Sequence, residues 1–293
     1  MTDSYARPDY LIEPAELSAR LAEGTVRVFD GTVFLEPAPR GYRARSGLED
    51  YQRAHIPGAA FIDQLSALSD SASGLGFTLP EAGRLQQAFA ELGACSDVPL
   101  VVYSSGHTMW ATRLWWLLHY AGHDHVSVLN GGFAAWQKLN LPVSDEIIVH
   151  PEGDFTAEIR HHRFATQSKV LAAIGNPEVC TVNALAPGVY SGESQMSYGR
   201  KGHITGSVNV YYDQLLEQEG RYRSATDLKA ALADKGLMDA GQVIAYCGGG
   251  ISATTDALAC LLVGQDQIAV YDGSMSEWVA DEQLPMTLGD EPG

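Results

Sequence analysis

One cysteine in this chain stands where a thiol becomes a nucleophile. An apolar run at 243–246 leads straight into Cys247, which is followed by Gly248, Gly249 and Gly250. Ile251, Ser252, Ala253 and Thr254 then open a helical stretch rich in Ala and Leu. The order strand, glycine loop, helix N-terminus puts the Cys at the mouth of an anion-holding turn. The backbone N–H groups of Gly248, Gly249, Gly250, Ile251, Ser252 and Ala253 can converge on one anion, and the helix dipole adds about half a positive charge at that end. Both effects favour thiolate over thiol, and both would hold an anionic group carried on the sulfur. Side chains at the three glycines would stand between the sulfur and those N–H groups. Ser252 can give its hydroxyl to such a group or cap the helix, and the sequence leaves both open.

The other three cysteines lack this setting. Cys260 lies inside the apolar helical run, where a thiol serves as a small hydrophobe, and Cys95 and Cys180 sit near element edges with ordinary packing roles. Four cysteines in 293 residues make no disulfide scaffold, and none has the C-x-x-C or Cys/His spacing of a zinc site. No metal and no organic cofactor are expected, and a reducing, cytoplasmic setting fits. A Cys-dependent phosphatase or arsenate reductase uses a related loop but clamps its anion with an Arg six positions after the Cys. That position is Ala253.

Charge narrows the partners. With a net charge of −17 the chain has no basic surplus to neutralise phosphates, so nucleic acid and anionic membranes are not expected partners. No run of 18 apolar residues predicts a membrane span, and the N-terminal stretch lacks the apolar core of a secretory signal.

The elements that must position Cys247 occur twice. His55-Ile56-Pro57-Gly58-Ala59 returns as His203-Ile204-Thr205-Gly206-Ser207. The run at 100–103 returns at 243–246, Asn130-Gly131-Gly132 with Trp136 returns as Asp272-Gly273-Ser274 with Trp278, and Leu141-Pro142 returns as Leu284-Pro285. A repeat this long suits a duplicated domain rather than a solenoid. The seam is expected near residue 152, giving domains at 1–150 and 151–293. Strands are predicted at 25–30, 100–103 and 126–129 and again at 179–182, 243–246 and 268–271. Helices are predicted at 81–92 and 111–120, then at 227–235 and 253–263. Alternation of this kind implies an α/β fold, with mostly parallel sheets flanked by helices on both faces. Ligands in such sheets bind beyond the carboxyl ends of the strands, where the Cys247 loop falls.

These pieces together resemble the two-domain rhodanese-like sulfurtransferases. The likeness is carried by the HIPGA stretch at His55, the run at 126–132 with Trp136, the stretch at 202–209, the Cys247 loop and the run at 270–278, and it covers nearly the whole chain. It implies two tandem rhodanese-like domains with the active Cys only in the second. It also implies a ping-pong reaction in which the Cys takes a sulfane sulfur from a small donor, thiosulfate or 3-mercaptopyruvate, and hands it to a thiol or cyanide. Ser104 occupies the place of Cys247 in the first repeat, and its loop carries His107, Met109 and Trp110. A Ser without a neighbouring base is a poor nucleophile, so the first domain is expected to be inactive and to wall the cleft.

The resemblance also implies residues that this chain alters. The family's loop Ser is Gly249 here, which removes a hydroxyl relay, although the uncharged loop is nearer the mercaptopyruvate type. Val189 stands where the family places a substrate Arg, and Arg200 is the candidate to replace it. Asp63 matches an acidic cleft residue, with loop capping as the competing role. His55 and His203 read as loop structure, and Trp136, Trp278, Trp115 and Trp116 as packing. The altered positions keep a second class open: a non-catalytic sulfur relay or binding module on the same scaffold. The oligomeric state is unknown from the sequence.

Overall fold

The computed structural model describes residues 4–37 and 42–293. In its first half come β1 (Leu11–Ile12), α1 (Pro14–Ala22), β2 (Arg27–Asp30), a hairpin of β3 (Val33–Pro37) and β4 (Tyr42–Ser46), α2 (Leu48–Arg53), β5 (Ala59–Phe61), α3 (Ala82–Glu91), β6 (Leu100–Tyr103), α4 (Thr108–Tyr120), β7 (Val126–Leu129) and α5 (Gly132–Lys138). The second half has β8 (Phe164–Ala165), α6 (Gln167–Ala173), β9 (Val179–Asn183), α7 (Pro187–Ser191), β10 (His203–Ile204), β11 (Val208–Asn209), α8 (Ala225–Asp234), β12 (Gln242–Tyr246), α9 (Ala253–Leu262), β13 (Ile268–Tyr271), α10 (Ser274–Trp278) and β14 (Met286–Thr287).

Each half builds one five-stranded parallel sheet. The orders are β1-β7-β6-β2-β5 and β11-β9-β12-β13-β8, the same arrangement read from opposite edges. The strand that delivers the loop, β6 or β12, is central in both. The six predicted strands and four predicted helices are present, with α4 starting three residues earlier than its periodicity suggested. The edge strands β1, β5, β8 and β11, of two or three residues, went unread because runs that short carry little period, and the β3–β4 hairpin went unread as well.

The duplication extends to single hydrogen bonds. Tyr103 and Tyr246 end the central strands, and their hydroxyls accept the N–H groups of Ile56 and Ile204. His55 and His203 are fully buried, stack on Tyr51 and Tyr190, and engage those tyrosines' carbonyls through Nδ1. They hold loops, as their turn setting suggested. Trp136 and Trp278 donate to the carbonyls of Pro142 and Pro285 from within the core.

Every residue of α4 and of α9 is buried, Arg113 and Asp256 included. A helix apolar all round is an interior helix. These two meet between the sheets, where Thr112 Oγ1 lies 2.8 Å from Thr254 Oγ1 and 3.2 Å from Thr255 Oγ1. One apolar core therefore runs through both halves. The expected seam falls in an irregular connection, residues 139–160, which stays on the first half: Gly153 N–H donates to Ala90 and Arg160 N–H to Tyr120.

Asp30 ends β2 with no exposed surface, and burial lifts its carboxyl to about 6. Its Oδ1 accepts the Thr32 N–H at 2.9 Å, as Asn183 Oδ1 accepts the Leu185 N–H at 2.8 Å in the second half. Because the folded chain binds this proton more tightly than the unfolded chain, the contribution is most favourable below pH 3.8 and is lost as pH rises through about 6. Asp30→Asn keeps the acceptor and removes the charge. Urea unfolding at pH 7.5 should find the variant more stable than the native chain by up to about 3 kcal/mol, with no such gain at pH 3.5. A gain of the same size at both pH values would overturn the account.

Candidate active site

Cys247 follows β12 directly and is 2% exposed. Its own N–H donates to Ser274 Oγ at 3.1 Å, and that hydroxyl donates to the Tyr271 carbonyl at 2.7 Å. Ser274 holds φ at +49°, in the left-handed region, where its counterpart in the first half is Gly132 at +55°. A side chain there costs about 1–2 kcal/mol. The hydroxyl that occupies this strained position pins the backbone of Cys247.

The loop sends its carbonyls outward into protein. The Cys247 carbonyl accepts from Met275 N–H at 3.0 Å, and that of Gly248 accepts from Ser276 N–H at 2.9 Å and Ser276 Oγ at 2.7 Å. The Gly250 carbonyl accepts from Arg113 Nη1 at 3.2 Å, and that of Ile251 accepts from Thr254 N–H and Oγ1. The N–H groups of Gly248, Gly249, Gly250, Ile251, Ser252 and Ala253 have no acceptor among the described residues. Ser252 makes no cap bond with its side chain, so of its two possible roles the helix cap is not the one it fills.

The first-half loop does the opposite. Ser105 N–H donates to Thr32 Oγ1 at 2.7 Å, Gly106 N–H to Ser104 Oγ at 3.0 Å and Met109 N–H to His107 Nδ1 at 3.1 Å. Ser104 and His107 thus close their own loop. In the second half Leu185 stands at Thr32's place and cannot accept, and Gly250 stands at His107's.

The glycines are not equivalent. A Cβ on Gly248 would overlap the Tyr198 hydroxyl. Gly250 has φ +77°, and a Cβ there would lie 2.6 Å from the Asp272 carbonyl oxygen. Gly249 has room, its nearest neighbour being the Gly76 carbonyl at 3.5 Å. Burial first, and then the Cys247 charge, hold the Tyr198 phenol protonated far above the ordinary tyrosine range. Tyr212 is raised likewise, by burial, Tyr211, Asp213 and Cys247 in turn. Both phenols stay protonated. An apolar cluster joins the halves beside the loop: Val33, Met109 and Trp110 pack against Ile251, with Phe77 and Tyr212 at their margin. Met109 and Trp110 therefore do more than crowd their own loop, since they also support the other one.

Asp63 accepts the Leu65 N–H at 3.0 Å, which is the loop-capping role. Arg200 Nη1 donates to the carbonyls of Asp281 and Leu284, tying down the chain before β14. Val189 itself packs against the core. Sequence reading missed Tyr198, Tyr212, Ser274 and Arg113. Ser274 had a readable signal, as the serine where the repeat has Gly132. Arg113 had one as an Arg inside an apolar helix.

No group of three or more His, Cys, Asp or Glu side chains among the described residues could hold a metal ion. No helix of the structure is long and apolar enough to cross a membrane.

A family model for the rhodanese-like domain matches residues 13–139 and 190–281. The 3-mercaptopyruvate sulfurtransferase of Escherichia coli K12 is 31% identical over 272 residues, covering 92% of this chain and 95% of that protein. The thiosulfate sulfurtransferase of Rattus norvegicus is 35% identical over 239 residues, 80% of each. The crystal structure of SseA from Escherichia coli superposes with a TM-score of 0.80 at 29% identity, over 90% of this chain and 98% of that one. Since the match runs through both halves and these relatives share one class of activity, the chain belongs to the rhodanese-like domain family as a two-domain sulfurtransferase.

Proposed function

We propose that Cys247 is the nucleophile and sulfur carrier, taking a sulfane sulfur from thiosulfate or 3-mercaptopyruvate and passing it to a thiol or cyanide. One observation carries this reading: the six N–H groups from Gly248 to Ala253 stand open beside Cys247, while four of their six first-half counterparts, those of Ser105, Gly106, Met109 and Trp110, are engaged. A hydrogen bond to a charged group is worth about 1.5–3 kcal/mol, so even two of these donors outweigh one neutral contact elsewhere. In the first step the Cys247 thiolate attacks the donor's transferable sulfur. A new S–S bond forms, and the donor's bond to that sulfur breaks, its electron pair leaving with sulfite or with the enolate of pyruvate. The resulting persulfide anion sits among the open N–H groups. In the second step the acceptor attacks the outer sulfur, and the pair returns to Cys247 as thiolate.

In this reading 151–293 is the catalytic domain, and 1–150, with Ser104, is its inactive partner. The substrates are small molecules rather than nucleic acid or membrane, and the compartment is a reducing cytoplasm, where free thiols such as Cys95, Cys180, Cys247 and Cys260 persist. The contacts of Arg200 and the half-buried Val189 favour one rival, a non-catalytic sulfur relay or binding module on the same scaffold.

Incubation with either donor should add one sulfur, about 32 Da, to the intact protein, and cyanide or a thiol should remove it. A persulfide that forms but never discharges would favour the relay. Cys247→Ser should fold normally and accept no sulfur, and turnover by that variant would exclude the mechanism.

The loop sets a second test. Gly249→Ala should keep stability and at least about a third of the activity, because the added methyl meets only ordinary contacts. Gly250→Ala should lose about 2 kcal/mol or more in urea unfolding and nearly all turnover, from its left-handed backbone and the Asp272 carbonyl. Equal effects of the two substitutions would contradict the loop geometry.

A further inference from the structure

We propose that Arg113, a side chain of the silent first half, is a positioning residue for the Cys247 loop: through the Gly250 peptide it turns the Ile251 N–H toward the sulfur. The inference rests on Cys247 being the nucleophile.

Arg113 projects from α4 and is 2% exposed. Nη1 donates to the Gly250 carbonyl at 3.2 Å, and Nη2 donates to the Phe77 carbonyl at 2.7 Å. Nη2 also lies 2.8 Å from Asp272 Oδ1, a charge contact rather than a directed hydrogen bond, since that oxygen has no hydrogen-bond donor. Asp272 Oδ2 accepts the Leu79 N–H at 2.6 Å. One guanidinium thus joins the first-half segment at 77–79, the end of β13 and the centre of the nucleophile's loop.

The Gly250 carbonyl and the Ile251 N–H belong to one planar trans peptide and point in opposite directions. Fixing the carbonyl on Arg113 fixes the N–H on the other side of the loop, where the open donors are. Two strained elements serve the same arrangement. Gly250 holds φ +77° against the Asp272 backbone, and Phe77 holds φ +64° with its carbonyl on Arg113. A left-handed Phe is maintained only where its surroundings enforce it.

The repeat shows why this device serves one loop and not the other. In the aligned halves Arg113 corresponds to Asp256, and Asp272 to Asn130. Each half lends a segment to the other: Leu79 N–H reaches Asp272, and Tyr222 N–H reaches Asn130 Oδ1 at 2.9 Å. The active loop receives a guanidinium from across the interface. Where the silent loop has the equivalent position, the second half presents Asp256, whose two carboxyl oxygens have no hydrogen-bond partner among the described residues. Burial first, and then the Cys247 charge, hold that carboxyl in its neutral form. A carboxyl cannot donate twice to a carbonyl framework as Arg does.

Asp272 balances the Arg113 charge, so Arg113 acts by geometry rather than as a free cation near the sulfur. That choice separates two variants. Arg113→Lys keeps the charge but lacks the planar fork that spans Gly250 and Phe77. Arg113→Gln with Asp272→Asn removes the ion pair without leaving either charge buried alone, a replacement that proteins commonly tolerate. The rate of Cys247 alkylation by iodoacetamide is measured against pH in both variants, beside native enzyme, with thermal melts as the check on folding.

We expect both variants to move the alkylation midpoint upward by about one pH unit and to form persulfide about 10–100-fold more slowly, with donor KM within about threefold of native. A native alkylation profile in Arg113→Lys would overturn the positioning role, and so would one in the folded double variant. Because alkylation needs no sulfur donor, a shifted midpoint in a protein that accepts sulfur from neither donor would sustain this inference and reject the sulfurtransferase reading instead.

Discussion

A backbone loop that turns its N–H groups toward one point must turn its carbonyls away, and each buried carbonyl then needs a donor. This constraint shapes the whole active half. α10 begins beside the loop, so that Met275 and Ser276 serve the carbonyls of Cys247 and Gly248. Thr254 closes the first turn of α9 on Ile251. The carbonyl of Gly250 lies beyond reach of either helix and is served from the other half of the molecule, by Arg113. The two-domain architecture is thereby tied to one peptide group.

The duplicated fold shows how few residues separate an open anion loop from a closed one. In the first half Thr32, Ser104 and His107 each offer an acceptor to a loop N–H. In the second half Leu185, Cys247 and Gly250 stand in their places. Leu185 offers nothing, glycine offers no side chain, and sulfur is a weak acceptor until it is ionised. The same strand–loop–helix frame therefore makes a self-closing turn on one side and an open anion loop on the other. Ser274 adds the complementary change, a strained serine where the silent loop has glycine.

What the sequence disclosed was local or periodic. The central strands announce themselves as short apolar runs, α9 as a helical one, and Cys247 by the glycines beside it. The repeat made the α/β topology legible, because two copies of one pattern restrict each other. What it concealed was the pairing of distant segments. Arg113 lies 137 positions from the carbonyl it serves, and Leu79 lies 193 positions from Asp272. Nothing in the local pattern around Tyr198 brings it to Gly248. Arg200 looked available because it stands just ahead of His203, whereas its Nη1 donates to the carbonyls of Asp281 and Leu284, 81 and 84 positions later. A free-looking Arg in a sequence is a backbone clamp as readily as a substrate ligand, and only its carbonyl neighbours decide which.

The global charge sharpens what the loop must do. At −17 the chain repels small anions at long range. At physiological salt that field is screened over about 8 Å, so an anion inside the cleft responds chiefly to the nearest dipoles. Those are the six open N–H groups and the N-terminus of α9, beside which the two halves pack aromatic and aliphatic side chains. Low polarity strengthens such dipoles and punishes any that point the wrong way. The orientation of individual peptide planes therefore outweighs the overall balance of charge, and a single misturned peptide at Gly250 would matter more than several acidic residues on the surface.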